Sequence, residues 1–186
     1  MIVAADGGYQ AALKSGVQPD VILGDFDSLG YVPSGSEVIT LPVCKDDTDT
    51  LFAVKLGLSR GFKRFFIYGG MGGRTDHTIA NIQTLGLIAS NGGRGYLVSD
   101  NEVLTVIQNS SIAFTVEAKG TVSVFCFGGR AEGVTISGLS YELENAVLDS
   151  IFPLGVSNSF KGAPSFVEVQ NGCLLITFGK TEYVVD

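Results

Sequence analysis

Two aspartates two positions apart, Asp25 and Asp27, stand in the stretch Gly24-Asp25-Phe26-Asp27-Ser28, directly after the apolar run Val21-Ile22-Leu23. If the segment stays extended, both carboxylates leave on one face with Cα atoms roughly 7 Å apart, and Phe26 turns the other way into packing. Unpaired carboxylates at that separation repel by roughly 2 kcal/mol at an effective dielectric of about 20. A hard cation removes the repulsion. Mg²⁺ in particular is held by one or two carboxylates together with water and the phosphate oxygens of a substrate. A solvated acidic turn accounts for the same residues, so the remainder of the chain must decide between the two.

Further polar residues gather at comparable places. Ile2-Val3-Ala4-Ala5 runs into Asp6-Gly7-Gly8, so two consecutive strands end in Asp and Gly at what should be one sheet edge. Ligands of open α/β sheets bind beyond the carboxyl ends of the strands, and Asp6 joins the acidic group on that ground, with an Asp-Gly turn as its plain alternative. Asp46-Asp47-Thr48-Asp49 opens a helix after the strand ending at Pro42. Capping explains part of this cluster, and a metal or phosphate role for at least one member explains the excess. After the strand 64–68 comes Gly69-Gly70-Met71-Gly72-Gly73-Arg74-Thr75-Asp76-His77, leading into a second helix. Glycines let backbone approach an anion closely, and a helix start offers unpaired N–H groups. The loop lacks the Gly-Lys-Ser/Thr ending of a Walker motif, and Thr75 replaces the third glycine of a dinucleotide fingerprint. Arg74, Asp76, His77 and Asn81 add polar groups there, with His77 and Asn81 four apart on one helical face.

These residues need elements to position them. Strands are expected at 2–5, 20–23, 37–41 and 64–68, alternating with helices at 9–15, from the acidic cluster to about Ser59, and at 75–90. An inner face of Leu51, Val54 and Leu58 suits the first of the two longer helices, and Ile79, Ile82, Leu85 and Ile88 or Ala89 keep helical spacing in the second. This predicts an α/β N-terminal domain, Rossmann-like with a mostly parallel sheet, over 1–99. From Arg94 onward the sequence changes to short β-rich runs: 95–98, 103–107, 113–116, 121–127, 133–136, 166–169, 174–178 and 182–185. No helix is signalled among them, so 100–186 is expected to be an all-β sandwich. Gly138-Leu139-Ser140-Tyr141 and Gly155-Val156-Ser157-Asn158 read as turns, with Tyr141 offering a stacking face for an aromatic cation.

Composition narrows the classes. The 186 residues are 45% hydrophobic, enough for a substantial core. A net charge of −7 argues against a basic nucleic-acid-binding surface, and an acidic protein that handles phosphates needs a metal. No long apolar stretch signals a membrane span, and MIVAADGG lacks the basic and apolar regions of a signal peptide. A cytoplasmic location is expected. Cys44, Cys126 and Cys173 lie far apart, without metal-ligand spacing, and read as reduced thiols.

Taken in order, Asp6-Gly-Gly, Gly-Asp25-Phe-Asp27-Ser, Asp46-Asp-Thr-Asp49, Gly-Gly73-Arg-Thr-Asp76-His-Thr-Ile-Ala-Asn81, Gly-Leu-Ser-Tyr141 and Gly-Val-Ser157-Asn158 resemble the thiamine pyrophosphokinase family. The resemblance spans nearly the whole chain. It implies that a pyrophosphoryl group moves from ATP to the hydroxyl of thiamine, giving thiamine diphosphate and AMP. It also implies a homodimer in which the β-sandwich contributes the thiamine pocket at the interface. By resemblance Asp6, Asp25, Asp27 and Asp49 hold Mg²⁺, with Asp25, Asp27 and Asp49 catalytic and Asp25 preferred as proton acceptor. Asp6, Gly7, Thr48, Gly70, Gly72, Gly73, Arg74, Asp76, His77 and Asn81 would bind ATP, and Tyr141, Ser157 and Asn158 would bind thiamine.

Family members usually carry a further strand and loop before Asp-Gly-Gly, whereas this sequence starts a few residues ahead of Asp6. Either the start is misplaced, the chain is trimmed, or the protein is a shortened form with impaired ATP binding, and the sequence does not choose among them. Two competing readings follow. Asp-x-Asp-x-Ser after an apolar strand also resembles the nucleophile motif of haloacid-dehalogenase-like phosphatases, which would make Asp25 the attacking group. Alternatively the chain binds thiamine or nucleotide without turnover.

Overall fold

The computed structural model describes residues 1–26, 30–31, 33, 37–42 and 46–185. The chain divides into two compact units, Met1–Phe62 and Lys63–Asp186. The first holds a parallel three-stranded sheet in the order β1 (Val3–Ala5), β2 (Val21–Gly24), β3 (Glu37–Thr40). Central β2 is buried along its whole length, as expected for a strand covered on both faces. Each buried Val, Ile or Leu there contributes about 1.5–3 kcal/mol. Helix α1 (Gly8–Lys14) sets Tyr9 against Ala4, Ile22 and Phe26, and it stops at Gly16, whose φ of +71° suits a helix C-terminus. Helix α2 (Asp49–Ser59) buries Val54 and Gly57.

The second unit begins with β4 (Arg64–Tyr68), α3 (Thr75–Ser90) and β5 (Arg94–Val98), and β4 and β5 pair in parallel. A tight connection then leads to β6 (Val103–Gln108), antiparallel to β5. Strands on either side of position 99 are therefore neighbours in one ladder. Beyond follow β7 (Ser111–Phe114), β8 (Thr121–Ser137), β9 (Leu143–Asp149), β10 (Gly155–Ser159), β11 (Ser165–Glu168), β12 (Asn171–Phe178), a 3-10 turn at Thr181–Tyr183, and β13 (Val184–Val185). This part is β-rich and almost wholly antiparallel.

Strand β8 organises the unit. Its first half pairs with β12 and β10, and its second half with β11 and β9. Between the halves lie Gly128 and Gly129, both at positive φ, where a side chain would resist the bend that carries one strand from one sheet to another. Val122, Val124, Ala131, Val134 and Ile136 of β8 face one core with Leu139, Leu148, Leu174 and Ile176.

Several sequence expectations change. The runs 121–127 and 133–136 are one bent strand, because Gly128 and Gly129 permit a bend where the intervening glycines were expected to separate two strands. The segment from Gly155 is strand β10 rather than a turn, and β9 had no strand signal: Asn145, at φ +49°, interrupts its alternation. Part of the expected last strand is the 3-10 turn. The inner face of α3 is Asn81, Thr84, Leu85 and Ile88, with Ile79 exposed. The predicted stripe had given that face only to apolar residues. Among the described residues, no helix is long and apolar enough to cross a membrane.

Candidate active site

The acidic residues are built on the carboxyl edge of the first sheet. Asp6 follows β1 and Asp25 follows β2, and both are half-buried. The Asp6 N–H donates to Leu23 O at 2.8 Å, extending the ladder past the end of β1. Gly24 makes the approach possible. A Cβ on it would stand 3.2 Å from Asp6 Cα and 3.3 Å from Asp6 N, and its φ is +154°. Asp6 and Phe26 take left-handed φ values of +44° and +58°. Such conformations in non-glycine residues cost about 1–3 kcal/mol each and concentrate at functional sites. Phe26 is buried against Ala4, Tyr9 and Ile22 as expected, but with its left-handed φ the segment does not stay extended past β2, so the burial does not come from strand alternation.

Asp27 lies outside the described residues. Asp49 is the first residue of α2, and Thr48 caps that helix, its Oγ1 accepting from Leu51 N at 3.1 Å. Asp47 is paired with Lys55 at 2.7 Å, which explains one member of the cluster without a ligand. Among the described residues, no group of three or more His, Cys, Asp or Glu side chains could by itself hold a metal ion. The donors at the β1 and β2 ends are carboxylate oxygens, the chemistry Mg²⁺ prefers. That ion needs only one or two protein carboxylates when water and phosphate fill its other positions.

In the second unit the glycine loop connects β4 to α3. Gly69 and Gly72 have φ near the left-handed region, at +72° and +83°. Gly70 is needed for space instead: its Cβ would lie 2.6 Å from Leu97 Cδ1 and 2.9 Å from Asn81 Nδ2. Asn81, buried in α3, donates from Nδ2 to Gly70 O at 2.9 Å and fixes the loop from behind. Gly7 and Gly73 have nothing near their Cβ positions. Arg74 precedes α3, and its guanidinium donates to both oxygens of Asp76, at 3.1 and 2.6 Å. Asp76 Oδ1 also accepts from His77 N at 2.9 Å. The hydrogen bond from Arg74 holds the Asp76 carboxyl below its usual range. Arg74, Asp76 and His77 are all exposed on this helix start.

The last three candidates come together. Segment 139–141 lies along β10: Leu139 bridges Phe160, Ser140 N donates to Ser159 O at 3.0 Å, and the Ser140 and Ser159 hydroxyls are 2.8 Å apart. Asn158, buried, accepts from Tyr141 N at 2.9 Å and donates to Tyr141 O at 2.6 Å. Tyr141 is 73% exposed. Exposed Ser157 has φ +59°, and its N–H donates to Ser123 Oγ at 3.0 Å. Glu142 accepts from Gly138 N at 2.9 Å and from Lys161 Nζ at 3.0 Å, which lowers its carboxyl pKa. Ser123, Ser159 and Lys161 escaped the sequence reading, since each acts on a partner more than fifteen positions away and none belongs to a short motif. Ser140 stands inside Gly-Leu-Ser-Tyr141, where its pairing with Ser159 gave no local signal.

Comparison with known proteins covers both parts. The thiamin pyrophosphokinase catalytic domain matches residues 1–94, and the thiamin pyrophosphokinase vitamin B1 binding domain matches 109–174. Thiamin pyrophosphokinase 1 of Caenorhabditis elegans is 29% identical over 190 residues, spanning 92% of this chain and 76% of its own. The solved structure of thiamine pyrophosphokinase from Bacillus subtilis superposes with a TM-score of 0.84 at 23% identity, covering 96% of this chain and 86% of that one. Thiamin pyrophosphokinase from Candida albicans gives 0.76 at 17% identity, over 97% and 81%.

Proposed function

The chain belongs to the thiamin pyrophosphokinase family and is an ATP-dependent thiamine pyrophosphorylating enzyme, and we propose how its residues divide that work. In this reading residues 1–99, as a Rossmann-like half, handle ATP and magnesium, and residues 100–186 handle thiamine. The observation that carries it is the order of the two family matches along the chain, catalytic over 1–94 and vitamin-binding over 109–174.

The reaction joins the thiamine hydroxyl oxygen to the β-phosphorus of ATP and breaks the bond from that phosphorus to the oxygen bridging the α-phosphate. The electron pair of the broken bond leaves with AMP. Asp25 accepts the hydroxyl proton, since a carboxylate in hydrogen-bond reach of the nucleophile serves as base. Asp6, Asp27 and Asp49 complete the acidic set, and Asp6, Asp25, Asp27 and Asp49 would hold Mg²⁺. Bound there, Mg²⁺ supplies charge neutralisation on phosphate oxygens. Gly70, Gly72 and Gly73 bring backbone close to the nucleotide's phosphates, with Arg74 as the cation and Asp76 and His77 beside it, and the Asp-Gly-Gly motif adds Gly7 as an ATP-binding residue by its family resemblance. Thr48 and Asn81 serve ATP through the backbone they hold. Tyr141 and Ser157 face thiamine, the ring of Tyr141 against its cationic thiazolium.

A homodimer is part of the proposal. Val147, Ile151, Phe152, Leu154 and Val156 are all about half exposed or more, Ile151 at 89%. An apolar run of that kind beside Ser157 suits a second copy of the chain. A cytoplasmic location is supported by Cys126 and Cys173, which are free thiols.

Incubation with Mg-ATP and thiamine, followed by chromatography resolving AMP from ADP, tests the reaction. AMP and thiamine diphosphate in equal amounts are expected. Inorganic phosphate with an acyl phosphate trapped on Asp25 would instead favour the phosphatase reading, which leaves residues 109–174 without a role. Thiamine uptake with neither product would mark a binding protein.

A further inference from the structure

We propose that Asn158 is a positioning residue that sets the place of Tyr141, rather than a ligand of thiamine; this rests on the reading of Tyr141 as part of the thiamine site. The hydrogen-bond capacity of the side chain is nearly exhausted within the protein. Oδ1 accepts from Tyr141 N at 2.9 Å and from Ser159 N at 2.9 Å, and Nδ2 donates to Tyr141 O at 2.6 Å. A carboxamide offers two acceptor sites and two donors, so one N–H is left for anything else. Only 4% of Asn158 is exposed.

The arrangement is a strand ladder continued by a side chain. Leu139 and Ser140 pair with the backbone of Phe160 and Ser159. One step further, the register of β10 shifts between Gly155 and Asn158, and Ser157 takes φ +59°. The Asn158 carboxamide engages both backbone groups of Tyr141 at that step, as a paired peptide would. Gly138 begins the same segment under tight constraint, because a Cβ on it would lie 2.2 Å from Pro164 O. Tyr141 thus presents an exposed ring on a backbone held through both of its polar groups. The exposed ring lets it meet a ligand, and the pairing keeps it from wandering.

Four full-length proteins test this: Asn158→Ala, Asn158→Asp, Tyr141→Ala and the double variant Asn158→Ala with Tyr141→Ala. Hydrogen exchange at the Tyr141 amide is followed along with kcat and the KM values of thiamine and ATP. In Asn158→Ala the Tyr141 amide should exchange faster. The thiamine KM should rise about 5- to 30-fold, the range one or two lost hydrogen bonds produce, with kcat and the ATP KM little changed. Asn158→Asp keeps the acceptor and loses the donor to Tyr141 O, so it should keep the amide protected while still raising the thiamine KM. It decides the matter where Asn158→Ala does not fold. The double variant should bind thiamine no worse than Tyr141→Ala alone. Additive losses, or an unchanged Tyr141 exchange rate in Asn158→Ala, would overturn the positioning role. A normal thiamine KM in Tyr141→Ala would instead overturn the thiamine-site reading, and the exchange rate would still judge the clamp.

Discussion

Replacing Gly70 and Gly73 by alanine, one at a time, separates a glycine the fold requires from one only a ligand would require. A Cβ on Gly70 would stand 2.6 Å from Leu97 Cδ1 and 2.9 Å from Asn81 Nδ2, whereas carbon contacts are favourable at about 3.5–4.0 Å. Leu97 is completely buried, so it has no room to turn aside and the loop must yield. Overpacking of this kind costs about 1–3 kcal/mol. If the loop shifts, the 2.9 Å bond from Asn81 Nδ2 to Gly70 O is lost, and an unpaired buried amide adds about 1–3 kcal/mol. The sum is about 2–6 kcal/mol. At about 2–4 °C per kcal/mol for a chain of this size, Tm should fall by at least about 4 °C. Gly73 differs: its Cβ position is open and its φ is not in the left-handed region. Gly73→Ala should therefore leave Tm within about 2 °C, yet raise the ATP KM if phosphate lies against this backbone. Thermal unfolding followed by circular dichroism, with initial rates of AMP formation, reads both. A wild-type Tm in Gly70→Ala would refute the packing argument, and a wild-type ATP KM in Gly73→Ala would refute the loop's assignment to the nucleotide.

Three further outcomes are expected. Gly24→Ala should lower kcat about 10- to 100-fold, since it pushes on the backbone of Asp6 rather than on a movable side chain, and small misplacements of reacting groups are costly; unaltered kcat at saturating substrates would count against Asp6 and Asp25 acting together. The Glu142 carboxyl is held below its usual value first by Lys161, then by Gly138 N–H. Its folded pKa being depressed, its contribution is complete above the unfolded value of about 4.3 and is lost as pH falls through the lower folded value. Thiamine affinity measured by calorimetry should accordingly drop in acid more for the wild type than for Glu142→Gln, and identical profiles would dismiss the coupling of this pair to the pocket. Finally, sedimentation should give a dimer for the wild type and a monomer for Ile151→Asp combined with Phe152→Asp; a wild-type monomer would remove the interface from the proposal.

The strand and helix order of the first hundred residues was legible because its signals are local. Apolar runs such as Val21-Ile22-Leu23 meet glycine at their ends, and the first helix stops where Gly16 allows it. The later strands were harder to read for the converse reason. Gly128 and Gly129 separate two apolar runs in sequence, yet in space they are the bend of one strand. Nothing local distinguishes a glycine that ends a strand from one that lets it change sheets. The decision belongs to partners β10, β12, β9 and β11, which lie downstream.

The same distinction divides the candidate site residues. Residue type and spacing select Thr48, Asn81 and Asn158 as polar groups in motif positions, and in the structure each of them engages backbone: Leu51 N, Gly70 O, and both polar groups of Tyr141. Arg74, His77, Tyr141 and Ser157, drawn from the same motifs, have exposed side chains. A motif therefore contains two kinds of residue, those whose side chains are left exposed and those that hold the loop on which the first kind stands. A buried carboxamide whose acceptors are already filled has little left to offer a ligand, while an exposed neighbour such as Ser157, at φ +59°, keeps its side chain available to one. Substitutions of the first kind should alter binding without altering the fold. Those of the second kind should disturb a named backbone amide before they disturb catalysis, and this order of events can be measured residue by residue.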